Sequence, residues 1–347
     1  MASPYISAHR VDQAVQGFLA DAGQDEAVFI APTLPTVEVG PENFSGILYT
    51  LPIETYLGDS TFVVGNGLKR APKGTYPSPF GEHEANKTPY ECEERSAKDF
   101  IDDVTASRFR FPLGAEQMRA AILRRTLLLN FEADLAANVI FNAGNWSNAA
   151  IGALPGGAGV AWSTLATSDP TRDGNAISDV IRGTSGVKPD YAVITYDVAQ
   201  VLRRHPHTLG AITLGIGGSA VVGQTAAPLD AALALWADRW QLPNGIKVLS
   251  ALYNSAAPLA APTVASLATA QVWFGCSRGV TGGQQIEGGA VLGNGPASFV
   301  ILREQMLRGY RWLSNDPPGA YIAGAHSYAV ARPTDMAGTA YLVTGVV

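Results

Sequence analysis

The chain has 347 residues, 47% of them hydrophobic and only 16% charged, with a formal net charge of -6. That length supports two or three packed units, and so little charge points to extensive subunit contact and not to a solvent-bathed monomer. The acidic balance argues against a protein that grips nucleic acid by neutralising phosphates, and two distant cysteines, Cys92 and Cys276, imply neither a disulfide framework nor a zinc site.

The first residues, Met1-Ala-Ser-Pro-Tyr5, lack the charged-then-apolar pattern of a signal peptide, and no apolar run is long enough to span a bilayer. A soluble protein made in a cytosol is the expectation. Val11, Val15, Phe18 and Leu19 predict one short amphipathic helix. From Val28 the chain reads as extended, but Pro32 and Pro35 forbid a central strand, so it is expected to lie as an arm along a surface. Residues 46–100 follow. Short β-like pieces at Ile47–Thr50 and Thr61–Val64 flank a Gly-, Pro- and Lys-rich stretch from Gly67 to Gly81, and a charged return follows at Tyr90–Arg95. A segment this long without core residues of its own is normally functional or disordered. It reads as a hairpin-like excursion reaching away from the body.

The organising element comes next. From Pro112 to Asn142 no proline or glycine interrupts the chain after Gly114, so a helix of roughly 45 Å is expected. Met118, Ala121, Ile122, Arg125, Leu129, Ala136 and Val139 form one row, and Leu123, Leu127, Phe131 and Leu135 a second beside it. The middle, Thr126 to Phe131, reads as apolar almost all round, and Gly144 is expected to close the helix in the left-handed conformation.

After a Gly/Ala/Asn-rich link at 145–159, helix and strand signals interleave. Ser168-Asp169-Pro170 caps a helix whose stripe is Ala176, Ile177, Val180 and Ile181, ended by Gly183 to Gly186. Pro189-Asp190 turns into a strand at Tyr191–Thr195. Asp197 is expected to cap the next helix, which carries Val201 and Leu202 and stops at His205-Pro206. A Gly-rich loop (Leu214 to Gly223), a helix (Leu229 to Asp238) and strands at Ile246–Leu252 and Gln271–Phe274 follow. The tail is strand-rich: Ser298–Leu302, Ala320–Ala323, Ser327–Ala331 and Ala340–Val347.

The order of these parts resembles the tailed-phage major capsid proteins with the Hong Kong 97-like fold. The residues that carry the resemblance are the helix end Glu132-Ala-Asp-Leu-Ala-Ala137 and the run Ser168-Asp-Pro, helix, Gly186, Pro189-Asp190, strand. Val201-Leu-Arg-Arg-His-Pro206, Val248 with Ala251-Leu-Tyr-Asn254, Val272-Trp-Phe274 and Ala340-Tyr-Leu-Val343 complete it. The resemblance implies an α+β class. It implies an N-terminal arm (1–45), an extended E-loop (46–97), a peripheral domain with the spine helix (98–165 and 289–333) and an axial domain (166–288 and 334–347). It implies a non-enzymatic shell subunit that assembles with itself into hexamers and pentamers around double-stranded DNA held non-specifically. Scaffolding, portal and decoration proteins are the further partners it suggests, with no membrane. The arm begins almost at once, so no N-terminal scaffolding extension is expected. Some relatives join an E-loop lysine to a neighbour's asparagine with the help of a buried glutamate, so Lys69, Lys73 and Lys87 are candidate donors and Asn294 or Asn315 candidate acceptors.

Two rival readings remain. An encapsulin-type nanocompartment shell keeps the fold and changes the cargo. An α/β enzyme would use Gly215-Ile-Gly217-Gly218-Ser219 as a nucleotide loop with Asp238 on the ribose, though the third glycine is out of place. His205 and His207 lack the further ligands a metal needs, and Glu82, Glu84, Glu91, Glu93 and Glu94 read as a solvated or intersubunit face. No catalytic, cofactor-binding or metal-binding residue is nominated, and no cofactor is expected.

Overall fold

The computed structural model describes residues 10–11, 34–39, 45–50, 86–102, 115–215, 226–256, 261, 263–277, 284–286, 290–292, 297–315, 318–333 and 338–347. In chain order the strands and helices are β1 (Arg10–Val11), β2 (Thr36–Glu38), β3 (Ser45–Thr50), β4 (Asn86–Glu91), β5 (Glu93–Asp102) and α1 (Ala115–Asp134), which runs into a π-helical turn at Leu135–Ile140. Then come β6 (Ser147–Ala150), α2 (Pro170–Ser185), β7 (Tyr191–Thr195), α3 (Tyr196–Arg204), α4 (Pro206–Gly215) and α5 (Leu229–Arg239). The rest is β8 (Ile246–Leu249), β9 (Leu252–Asn254), β10 (Val264–Ser266), β11 (Gln271–Gly275), β12 (Gln284–Ile286), β13 (Ala290–Leu292), β14 (Val300–Asn315), β15 (Pro318–Ala331) and β16 (Tyr341–Thr344).

Two sheets dominate. The first runs β1-β14-β15-β5, with β2 also on β14; the second runs β6-β16-β11-β7-β8. All five residues of β7 are buried, because alternate side chains enter two different cores. Ala192 and Ile194 pack with α2, α3, Trp236 and Trp240 on one face. Tyr191 and Val193 pack with Phe131, Leu135, Val139, Ile140 and Phe299 on the other. The second core thus ties the long helix to the α/β sheet. A third core holds the front of α1, through Leu123, Leu127 and Leu128, against Ile101 and Ile322 of the first sheet.

The second of the two rows read from the sequence is therefore the inward one. Leu123, Leu127, Phe131 and Leu135 are buried, while of the first row Ile122 is 49% exposed, Arg125 is exposed, and only Ala136 and Val139, in the π turn, are buried. Thr126 and Asn130 are exposed as well, so the helix is not enclosed all round; its apolar surface is a stripe, and Leu129 lies only half in. Gly144 does not close the helix in the left-handed region, which the described glycines Gly156, Gly159, Gly186, Gly245 and Gly345 occupy instead. Its last carbonyls are taken by side chains. Asn145 Nδ2 donates to Asn138 O (2.7 Å) and Val139 O (3.1 Å), and Trp146 Nε1 donates to Val139 O (2.7 Å). The amphipathic helix expected near the N-terminus lies outside the described residues, except that Arg10–Val11 is a strand on Tyr310–Arg311.

Of the extended stretch read after Val28, residues 34–39 are described: β2 pairs parallel with Ile301–Arg303, and Leu34, Val37 and Val39 are buried. The base of the excursion is an antiparallel pair, Ser45↔Glu91 to Thr50↔Asn86; the Thr61–Val64 piece lies outside the described residues. In the link after α1, Ser147–Ala150 pairs parallel with β16. The tail strands expected separately at Ala320–Ala323 and Ser327–Ala331 are one strand, in register with β14 and β5 across Gly324.

Around the second sheet, half-buried carboxylates tie helix starts and loops together. Asp169 caps α2 by accepting the Thr171 and Arg172 N–H groups (both 3.1 Å) ahead of Pro170, and Gly186 ends it at φ 69°. Asp197 lies inside α3 and not at its cap; its side chain bonds Thr195 Oγ1 and accepts the Ala270 N–H (2.6 Å). Gly174 cannot carry a side chain, since a Cβ would stand 2.2 Å from the Trp240 indole.

Leu128 is fully buried and Ile122 half exposed on the same helix. Leu128→Asp is expected to cost several kcal/mol and yield insoluble protein. Ile122→Asp should stay within about 1 kcal/mol of wild type in urea unfolding. Equal effects would show that the stripe is misassigned.

Candidate functional site

Three arrangements could carry chemistry. The first is a buried Ser–His pair. Ser168 Oγ lies 3.2 Å from His205 Nε2, at the start of α2 and the α3–α4 break. The backbone N–H of His207 donates to His205 Nδ1 (3.3 Å), so Nδ1 carries no proton and Nε2 does. Nε2 therefore donates to Ser168 and cannot take its proton, while Ser168 Oγ donates onward to Trp162 O (3.3 Å). His205 is 1% exposed, and burial, followed by the His207 charge, lowers its pKa to about 4. This pair is a neutral joint between helices. Neither histidine shares a metal site, and among the described residues no cluster of His, Cys, Asp or Glu could hold one.

The second is the Gly215 loop. Gly215 is the last residue of α4, and residues 216–225 lie outside the described residues. A dinucleotide fingerprint needs a strand before its first glycine and a helix after it; here a helix comes before. Asp238 is exposed in the last turn of α5. The geometry at Gly215 does not support the nucleotide reading.

The third is a charged cluster where α1 crosses the first sheet. Tyr328 hydroxyl donates to Asp134 (2.7 Å), Arg95 pairs with Asp134 (3.4 Å) and Glu93 (3.6 Å), and Arg95 Nη1 donates to Asn130 (3.3 Å). Burial, with the Asp134 carboxylate beside it, pushes the Tyr328 hydroxyl pKa up and keeps it a donor. His326 stands opposite Arg95 in register and packs edge-on to Phe131, with ring centroids 4.6 Å apart. It is 2% exposed, and its Nε2 has no hydrogen-bond partner among the described residues. Burial, then the charges of Arg303 and Arg95, drives its pKa down to about 3. Further along α1, Arg311 forks onto Glu116 (2.9 and 3.1 Å) and Arg119 pairs with Asp99 (2.9 Å). These groups fasten the long helix to its sheet. His326 carried no sequence signal, because nothing local marks a histidine in the middle of a strand; only the β15–β5 register puts it beside Arg95.

The other sequence candidates are dispersed. Lys87 is on β4, Asn315 ends β14, and Lys69, Lys73 and Asn294 lie outside the described residues. Glu91, Glu93 and Glu94 are exposed on strands, while Glu82 and Glu84 also lie outside. Glu132 is buried on α1.

Comparison with solved structures follows the whole chain. A phage-related protein from Bordetella bronchiseptica RB50 matches at TM-score 0.62 and 14% identity, over 98% of this chain and 98% of that one. The virus-like particle from Pyrococcus furiosus matches at TM-score 0.53 and 9% identity, over 95% and 98%. A Microbacterium phage Oxtober96 structure matches at TM-score 0.50 and 9% identity, over 91% of each chain. The fold is one shared with phage and virus-like-particle proteins. At these identities the likeness is one of fold, a mixed α/β architecture spanning the chain from end to end. No protein-family model and no curated relative matches the sequence.

The buried histidines predict a pH dependence with a definite sign. Their folded pKa values lie below the ordinary 6.5, so the unfolded state binds the extra protons. Their contribution is complete above about pH 6.5 and is lost as pH falls toward 4 and then 3. His326→Phe should flatten the fall in melting temperature between pH 6.5 and 4; an unchanged slope would exclude His326 as a source.

Proposed function

We propose that this chain is the major capsid protein of a tailed double-stranded DNA virus, with the Hong Kong 97-like fold. The observation that carries the reading is the end-to-end match to a phage-related protein, 98% of each chain at TM-score 0.62. The physical layout agrees with it. A long helix lies on a long β-hairpin sheet, a separate α/β sheet is fused to it through a shared core, and β3 pairs antiparallel with β4 at the two ends of the expected E-loop.

In this reading copies of the chain form the hexamers and pentamers of an icosahedral virion shell assembled in the host cytoplasm. Scaffolding, portal and decoration proteins are the remaining partners, and packaged DNA is held without sequence recognition. Among the described residues no helix is long and apolar enough to cross a membrane. We place the arm at 1–45 and the E-loop at 46–97. The peripheral–axial division is better drawn near residue 145 than at 165, because β6 is hydrogen-bonded to β16 and Ile151, Leu154 and Trp162 pack in the α2 core. An encapsulin-type compartment is the second reading, favoured by the likeness to a virus-like particle. Nucleic acid inside purified particles separates the two.

Negative-stain microscopy of the purified protein tests the proposal, and closed shells are expected. Residues 66–85 are poor in large aliphatic side chains and rich in Gly, Pro and charge. Replacing them with a short Gly/Ser linker should preserve circular dichroism, since loop-closure entropy changes slowly with length. Shell formation should fail, leaving monomers or isolated capsomers on sedimentation. Normal particles from this variant would count against the assembly role of the excursion.

A further inference from the structure

Among the described residues, strands β9 and β10 form a two-stranded ribbon that joins no other sheet. It runs Leu252↔Ser266, Tyr253↔Ala265 and Asn254↔Val264, so Leu252 and Val264 share one face and Tyr253 lies on the other. Its outer end is held by backbone and side-chain bonds. Ser255 N–H donates to Thr263 O (2.8 Å), and Asn254 Oδ1 accepts from Thr263 N–H (2.8 Å) and Ala256 N–H (3.1 Å). Its root is anchored in the body, with Ala251 and Leu267 packed beside Leu128 of α1. The ribbon itself is bare. Val264 is 69% exposed, Leu252 48% and Tyr253 38%, three of the nine exposed large apolar side chains among the described residues, in only six strand residues.

Two physical facts set this surface apart. An isolated two-stranded ribbon is at best marginally stable in water, and free strand edges are normally guarded by charge or by an inward-pointing Lys. Here no Asp, Glu, Lys or Arg occurs between Lys247 and Arg278, so neither edge is guarded. Charge also selects the occupant. Every copy of the chain carries a formal charge of -6, so an uncharged face is one where copies can meet without bringing like charges together. A nucleic acid or a strongly basic partner would seek charged surface, which this ribbon lacks.

We infer that the β9–β10 ribbon is a contact surface for a second copy of this chain, made through the Leu252–Val264 face. The inference rests on the shell reading and adds the place where copies meet. Its test uses the full-length protein. Val264→Cys places an accessible thiol on the ribbon, while Cys92 and Cys276 are buried and give the wild-type background. Maleimide labelling should be fast in dissociated subunits. It should slow about tenfold or more in assembled material, because a covered thiol reacts only through local opening. Val264→Lys should keep native circular dichroism and lose assembly, and Leu313→Lys, at a 69% exposed site elsewhere, should assemble normally. If Val264→Lys fails to fold, the labelling comparison still decides. Particles that form while Val264→Cys labels at the subunit rate overturn the ribbon contact and leave the shell reading intact. Protein that stays monomeric at every concentration overturns both.

Discussion

The structure depends on a stripe that winds. From Leu123 to the end of the π turn the buried positions come in pairs: Leu123 and Arg124, Leu127 and Leu128, Phe131 and Glu132, Leu135 and Ala136, Val139 and Ile140. A strict four-residue repeat does not stay on one side of an α-helix. At 3.6 residues per turn it drifts by about 40° each time. The front of the stripe therefore faces Ile101 and Ile322 of the first sheet, and the back faces Val193, Trp273 and Leu342 of the second. The π turn holds more residues per turn, closed by Phe141 N–H to Ala136 O at 2.9 Å, and slows the drift once the second sheet is reached. One helix can serve two sheets because its period matches neither helix type.

That winding explains why polar groups collect at the crossing. Where the stripe turns from one sheet to the other, helix and strands cannot be joined by apolar packing alone. Asp134, Tyr328, Arg95 and Asn130 fill the wedge with hydrogen bonds. His326 is held there neutral, against the Phe131 and Tyr328 rings, which also touch each other. Strand β14 breaks register between Arg303 and Arg308 at the same level, another accommodation of local mismatch.

Much of this was legible where a local signal matched the final environment. Asp169, Pro170 and Gly186 bound α2 because capping depends on nearby backbone alone, and Tyr191–Thr195 is a strand because both its faces are covered. The long helix was visible, but which of its rows faces inward was not, since Met118 and Ile122 are as apolar as Leu123 and Leu127. Ser147–Ala150 gave no strand signal; its partner β16 lies almost two hundred residues away. Gly144 resembled a helix stop, yet Asn145 and Trp146 take the terminal carbonyls through their side chains. The stretch Pro206–Gly215 gave no helix signal, and the glycine-rich loop read from Leu214 starts on the last two residues of α4. Composition alone could not separate a helical glycine from a looped one.

The outer strand of the long sheet, β5, reads Glu-Glu-Arg-Ser-Ala-Lys-Asp-Phe-Ile-Asp, and its exposed side is studded with charge. Its far edge could template another strand from any copy that drifted by, and ladders built that way have no natural end. The charge on β5 is a one-dimensional prohibition, set against chain-by-chain growth along this edge.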